Sequence, residues 1–209
     1  MVPLQGQIGT ATNFGRALTG LSSGPDVNRV VEIGTWYGGG STTALVEGLL
    51  PKANCDENAT DRCCEAFVAT LEIFEEAWAH ARLYHQNNPV FCILGSTVNV
   101  EDMLKEEEVP INEKTQHFQS YYLRDKTLMQ KMEPKLEEVC KSVSPDMVLI
   151  DGNEYTGWAE FKIVMRFCNP IWLALHDYGT LKTRKVEEFL SGAPSIYKLH
   201  QQGTDGEAK

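Results

Sequence analysis

The stretch Val30-Val31-Glu32-Ile33-Gly34-Thr35-Trp36-Tyr37-Gly38-Gly39-Gly40-Ser41 decides how this chain is read. A β-branched apolar run from Val27 to Ile33 ends at a glycine turn, which is the pattern of a fully buried parallel strand. Beyond the glycines, Ser41 to Leu50 carries Ala44, Leu45 and Leu49 at helical spacing, with Ser41 or Thr42 able to cap the start. Gly34, Gly38, Gly39 and Gly40 let the backbone take positive φ and approach a ligand closely. A dinucleotide site prefers G-x-G-x-x-G to cradle a pyrophosphate on a helix N-terminus, whereas here three residues separate the first two glycines. The looser turn suits a cofactor without phosphates.

Outward from this turn, strands and helices alternate. Ala66 to Leu71 reads as a second strand stopping at Glu72, followed by a helix from Phe74 to Gln86. Pro89 to Leu94 reads as a third strand closed by Gly95-Ser96-Thr97, and Val100 to Glu107 as a short surface helix. Residues 108–131 mix Pro110, charges and the aromatics His117, Phe118, Tyr121 and Tyr122, a composition suited to a lid-like insertion. A helix from Leu136 to Val143, a fourth strand from Met147 to Ile150, a helix from Trp158 to Phe167, a fifth strand from Ile171 to Leu175 and a helix from Lys182 to Leu190 complete the series. Ser195 to His200 is expected as a sixth strand. Such alternation predicts an α/β fold: a Rossmann-like, doubly wound, mostly parallel sheet in a three-layer α/β/α sandwich.

At 209 residues the chain is long for one domain and short for two, so one domain over 1–209 is expected, with a cysteine-rich loop at 53–65 as a second insertion. No apolar run approaches the roughly 20 residues of a membrane-spanning helix, and a net charge of −10 argues against wrapping a nucleic-acid backbone. The expected partner is therefore a small-molecule substrate, with no nucleic acid and no membrane; a homodimer is left open. Cys92, Cys140 and Cys168 sit in apolar surroundings and read as core filler. With no secretory signal visible in Met1 to Gly9, a cytoplasmic location is expected. A secretory lumen is the alternative, since Cys55 can pair with Cys63 or Cys64 beside the Asn58 glycosylation sequon.

In an open parallel sheet, ligands bind beyond the carboxyl ends of the strands, where strand order reverses. Each of the first five strands ends in a small or ionisable group: Glu32 with Gly34, then Glu72, Ser96, Asp151, and His176 with Asp177. Glu72 is placed to accept both hydroxyls of a ribose, or to cap the following helix. Asp151 and Asp177 can hold a magnesium-like cation, with His176 as a further ligand or as general base. His80, His85, His117 and His200 lack such a context and are expected at the surface.

Through Glu32 to Thr42, Leu149 to Tyr155 and Ala174 to Tyr178, the chain resembles the class I S-adenosylmethionine-dependent methyltransferases. The branch in question is similar to macrocin O-methyltransferase and the cephalosporin-biosynthesis methyltransferase-like proteins, and the match runs from about Val27 to Leu190. The resemblance implies O-methylation of a small-molecule hydroxyl, with S-adenosylmethionine as cofactor and Mg2+ assistance. It implies cofactor contacts from Glu32, at the amino-acid end, and from Gly34, Ser41 and Glu72; Thr35, Trp36, Gly38 and Asp151 are further candidates from their place at the strand ends, and Ser96 and Thr97 sit near the adenine or form a plain turn. Catalysis falls to Asp151 and His176, and metal binding to Asp151, His176 and Asp177. His176 stands where that branch often has an acidic residue, and Asn153 where an aspartate is common. Two other functions fit the same sequence: cofactor binding without methyl transfer, and a nicotinamide-dependent oxidoreductase, which the glycine spacing disfavours.

Overall fold

A computed structural model describes residues 8–53, 65–114, 118–200 and 202–203. Cys55, Cys63, Cys64, the Asn58 sequon and His117 lie outside the described residues. In chain order the elements are α1 (Asn13–Ser22), β1 (Arg29–Ile33), α2 (Ser41–Leu49), β2 (Phe67–Glu72), α3 (Glu75–Tyr84), β3 (Val90–Leu94), α4 (Phe118–Met129), α5 (Leu136–Val143), β4 (Met147–Ile150), α6 (Gly157–Ile163), β5 (Trp172–Leu175) and α7 (Arg184–Gly192). The five strands form one all-parallel sheet in the order β3-β2-β1-β4-β5. The order reverses between β1 and β4, which is where the predicted fold puts a ligand.

Strand alternation sorts the core into two layers. Val30, Val68, Met147 and Leu149 point to one face, where Leu18 of α1 and Ala44, Leu45 and Leu49 of α2 cover them. Val31, Ile33, Ala69, Leu71, Val148 and Ile150 point to the other and meet Leu136 and Val139 of α5, Phe161 of α6 and Val186 of α7. The predicted three-layer sandwich is therefore present. Helix α1, which sequence reading passed over, is capped by Thr12, whose side chain accepts from the Gly15 amide.

Three expectations are corrected, and the 108–131 insertion is found to carry a helix. Val100 to Glu107 is not a continuous helix but separate 3-10 turns at Val100–Asp102 and Glu106–Glu108. The Leu104 amide donates to the Tyr155 carbonyl, and Val98, Met103 and Val109 are buried at a spacing no helix face provides. Within 108–131 the chain forms α4, burying Phe118, Tyr122, Asp125 and Met129. Ser195 to His200 forms no strand: the Tyr197 hydroxyl donates to the Pro170 carbonyl and the His200 ring meets Trp172, so side chains, not a backbone ladder, hold the segment near β5. Cys140 and Cys168 are not separate fillers but a disulfide joining α5 to the π-helical extension Val164–Cys168 of α6.

Candidate active site

One cleft of about 490 Å³ opens along the carboxyl edge of the sheet, within the size range of small-molecule sites. Gly34, Thr35, Trp36, Gly38, Ser41, Glu72, Ser96, Thr97, Asp151, His176 and Asp177 all line it, so the sequence-predicted residues converge with one exception, Glu32.

The glycine turn after β1 needs its glycines. Gly34 has φ +93°, and a Cβ there would lie 2.2 Å from the Asp151 carbonyl oxygen, so only glycine lets β1 and β4 leave the sheet side by side. Trp36 also takes a left-handed φ of 51°, with its ring half exposed over the cleft. Glu72 holds this conformation: its Oε2 accepts from the Trp36 amide at 2.6 Å and its Oε1 accepts from the Ile73 and Phe74 amides at 2.9 Å. Burial raises the Glu72 pKa, and the three amides pull against that rise. The carboxyl is thus oriented on the cleft wall while also serving the start of α3. His85, expected at the surface, is buried and braces the turn from below, its Nε2 lying 2.8 Å from the Gly38 carbonyl oxygen. His80 is half-buried, its Nδ1 3.1 Å from the Tyr37 carbonyl oxygen.

Glu32 lies beneath the cleft. Its neighbour Ile33 points toward α5 to α7, so alternation turns Glu32 toward the start of α2, opposite its register partner Thr70. Oε2 accepts from the Thr42 and Thr70 hydroxyls at 2.7 Å, the side chain is fully buried, and Oε1 has no hydrogen-bond partner among the described residues. Burial pushes its pKa up to about 7, against the lowering effect of the Ser41, Thr42 and Thr70 hydroxyls. No surface of Glu32 faces the cofactor position that the resemblance implied.

At the ends of β4 and β5 a charged cluster assembles. His176 Nδ1 lies 2.9 Å from Asp151 Oδ1 and 3.4 Å from Asp177 Oδ1. Donor atoms of these three residues fall within 4.8 Å of one another. Lys182, absent from the sequence expectations, completes the cluster, with Nζ 2.9 Å from Asp151 Oδ1 and 2.8 Å from Asp177 Oδ2. Burial acts against a charged His176, but the two carboxylates outweigh it and raise the pKa to about 9. The ring is therefore charged at neutral pH and is a poor proton acceptor, which weighs against the general-base role expected of it. Hydrogen bonding from His176, with Lys182 adding to it, holds Asp177 well below the usual carboxylate range. Asp177 itself has φ 59°, and the Thr180 and Thr183 hydroxyls donate to its carbonyl; backbone strain of this kind is retained where surroundings over-determine it.

Beside Gly152 the cleft lining holds a group that sequence reading missed, Glu160. The Thr97 hydroxyl donates to Glu160 Oε1 at 2.6 Å, and the Thr156 hydroxyl donates to the same oxygen at 2.8 Å. Glu160 is buried, its Oε2 has no hydrogen-bond partner among the described residues, and burial raises its pKa. A glutamate between Ala159 and Phe161 on an apolar helix face was the one sequence signal for it. From α4, Tyr121, Arg124 and Asp125 also line the cleft. Arg124 stacks over Phe74 and Tyr121 and pairs with Asp125.

No family model and no curated protein matches the chain. Among solved structures, a cofactor-bound protein from MTB matches at a TM-score of 0.46 and 19% identity over 78% of this chain and 53% of its own, so the chain spans about half of that protein's length. The O-methyltransferase from Bacillus cereus in complex with SAH matches at a TM-score of 0.46 and 15% identity, covering 88% of this chain and 69% of the other. The O-methyltransferase TomG from Streptomyces achromogenes, in complex with SAM, matches at 0.45 and 15%, covering 86% and 68%.

Proposed function

We propose that the protein binds S-adenosylmethionine and transfers its methyl group to a hydroxyl of a small molecule. The observation that carries this reading is one cleft with the glycine turn and the amide-oriented Glu72 carboxyl on one side and the Asp151, His176, Asp177 and Lys182 cluster on the other. The residues fit such a cofactor. Gly34 and Gly38 line the cleft in a turn of positive φ, and Glu72 offers a fixed acceptor for a pair of ribose hydroxyls.

When bound, the cofactor would supply a methyl carbon made electrophilic by its sulfonium. Everything else falls to the chain. Where β4 and β5 end, His176 and Lys182 pair with Asp151 and Asp177, so a substrate hydroxyl seated there donates to a fixed carboxylate, which takes its proton as the oxygen bonds to the methyl carbon and the sulfur departs. His176 acts as a charged donor in this scheme. Tyr121 and Arg124 on α4 close the cleft from above and give the substrate an aromatic and cationic wall. Divalent-metal assistance fits less well, because Lys182 stands between the carboxylates that would hold the ion. The Cys140–Cys168 bridge favours the secretory-lumen alternative over a cytoplasmic location, since structural disulfides persist in oxidising compartments.

Calorimetry with S-adenosylhomocysteine and with NAD tests the cofactor, followed by transfer of labelled methyl to a panel of small phenols and alcohols. Binding of S-adenosylhomocysteine with a labelled ether product is expected. Binding of NAD alone would replace the proposal with an oxidoreductase reading, and binding without transfer to any acceptor would reduce it to cofactor recognition.

A further inference from the structure

We propose that Lys182 takes the place of a divalent cation in this site, so that methyl transfer by this chain is independent of metal. The inference rests on the methyl-transfer reading, but its test reads metal binding separately.

An ammonium has three N–H donors, and all three have acceptors here: Asp151 Oδ1 at 2.9 Å, Asp177 Oδ2 at 2.8 Å and the Gly152 carbonyl at 3.2 Å. These are the oxygens a magnesium ion would claim, at about 2.0–2.1 Å and in near-octahedral geometry. The ammonium is not a loose surface group. The Lys182 side chain is only 3% exposed, and the absence of a Cβ on Gly157 makes room for it, since a Cβ there would lie 2.3 Å from the Lys182 carbonyl oxygen and 2.9 Å from its Cγ. Admitting a metal means expelling a packed, fully paired charge.

Charge balance points the same way. Asp151 and Asp177 contribute two negative charges, and the Lys182 ammonium already sits in contact with both. A divalent ion added to this set meets the Lys182 ammonium within hydrogen-bonding range of the same carboxylates. With its donors all used, Lys182 is a positioning residue: it keeps two neighbouring carboxylates from repelling one another and fixes their free edges toward the cleft.

The test is a titration of the full chain with Mn2+, followed by electron paramagnetic resonance and calorimetry, alongside S-adenosylhomocysteine binding with and without a chelator. Wild-type protein is expected to show no stoichiometric Mn2+ site and an unchanged affinity for S-adenosylhomocysteine. Lys182→Met, which keeps the packed stem, should free both carboxylates and gain Mn2+ affinity by about tenfold or more, whereas Lys182→Arg should still reject the ion. Stoichiometric Mn2+ binding to wild type, lost in Asp151→Asn, overturns the proposal even if neither lysine variant folds. Failure of S-adenosylhomocysteine to bind would count against the methyl-transfer reading and leave the metal result intact.

Discussion

Replacing Glu32 by glutamine should make the protein less sensitive to alkaline pH. The Glu32 carboxyl is fully buried, and burial raises its pKa from 4.5 to about 7. Between those values the folded chain holds a proton that the unfolded chain has released, so stability is highest below pH 4.5 and is lost as pH rises through about 7. At about 1.4 kcal/mol per unit the full loss is roughly 3 kcal/mol, of which about three quarters falls between pH 5 and pH 8. Glutamine keeps an oxygen to accept from Thr42 and Thr70 and has no charge to desolvate. The assay is urea denaturation of wild type and Glu32→Gln at pH 5 and pH 8, because Glu72, Glu160 and His176 also titrate and only the difference between the two proteins isolates Glu32. The variant is expected to gain about 2–3 kcal/mol on the wild type between the two pH values. Parallel pH dependences would refute the argument, showing that the carboxyl is hydrated or ionised at no cost.

Gly34→Ala forces a Cβ to within 2.2 Å of the Asp151 carbonyl and a side chain into φ +93°. It should cost about 2–5 kcal/mol and abolish S-adenosylhomocysteine binding, and a variant with wild-type Tm would contradict the close approach. Reduction of the Cys140–Cys168 bridge, with a sequence separation of 28, should cost about 3–4 kcal/mol through the freed unfolded chain and lower Tm by roughly 10 °C; a Tm indifferent to reductant would mean the bond does not form. Glu72→Gln should weaken S-adenosylhomocysteine by about tenfold or more, measured by calorimetry. An unchanged Kd with a lowered Tm would assign Glu72 to the start of α3 alone.

What the sequence determined by itself was local. Helix α5 and strand β4 have the bounds that periodicity predicts, and the five strands and the polar groups at their ends are where the apolar runs stop. Helix α4 was also legible, since Phe118, Tyr122, Asp125 and Met129 fall at helical spacing, but the surrounding charges and aromatics obscured it. Only the tertiary structure decided which strand-end groups share a surface. Alternation along β1 turns Glu32 away from the cleft that its neighbours line, because Ile33 takes the opposite face. Lys182 meets Asp151 across 31 residues, and Cys140 meets Cys168 across 28. Strand ends follow from local periodicity, whereas pairings of this reach depend on how the segments after β4 and β5 pack together, a geometry that no local pattern encodes.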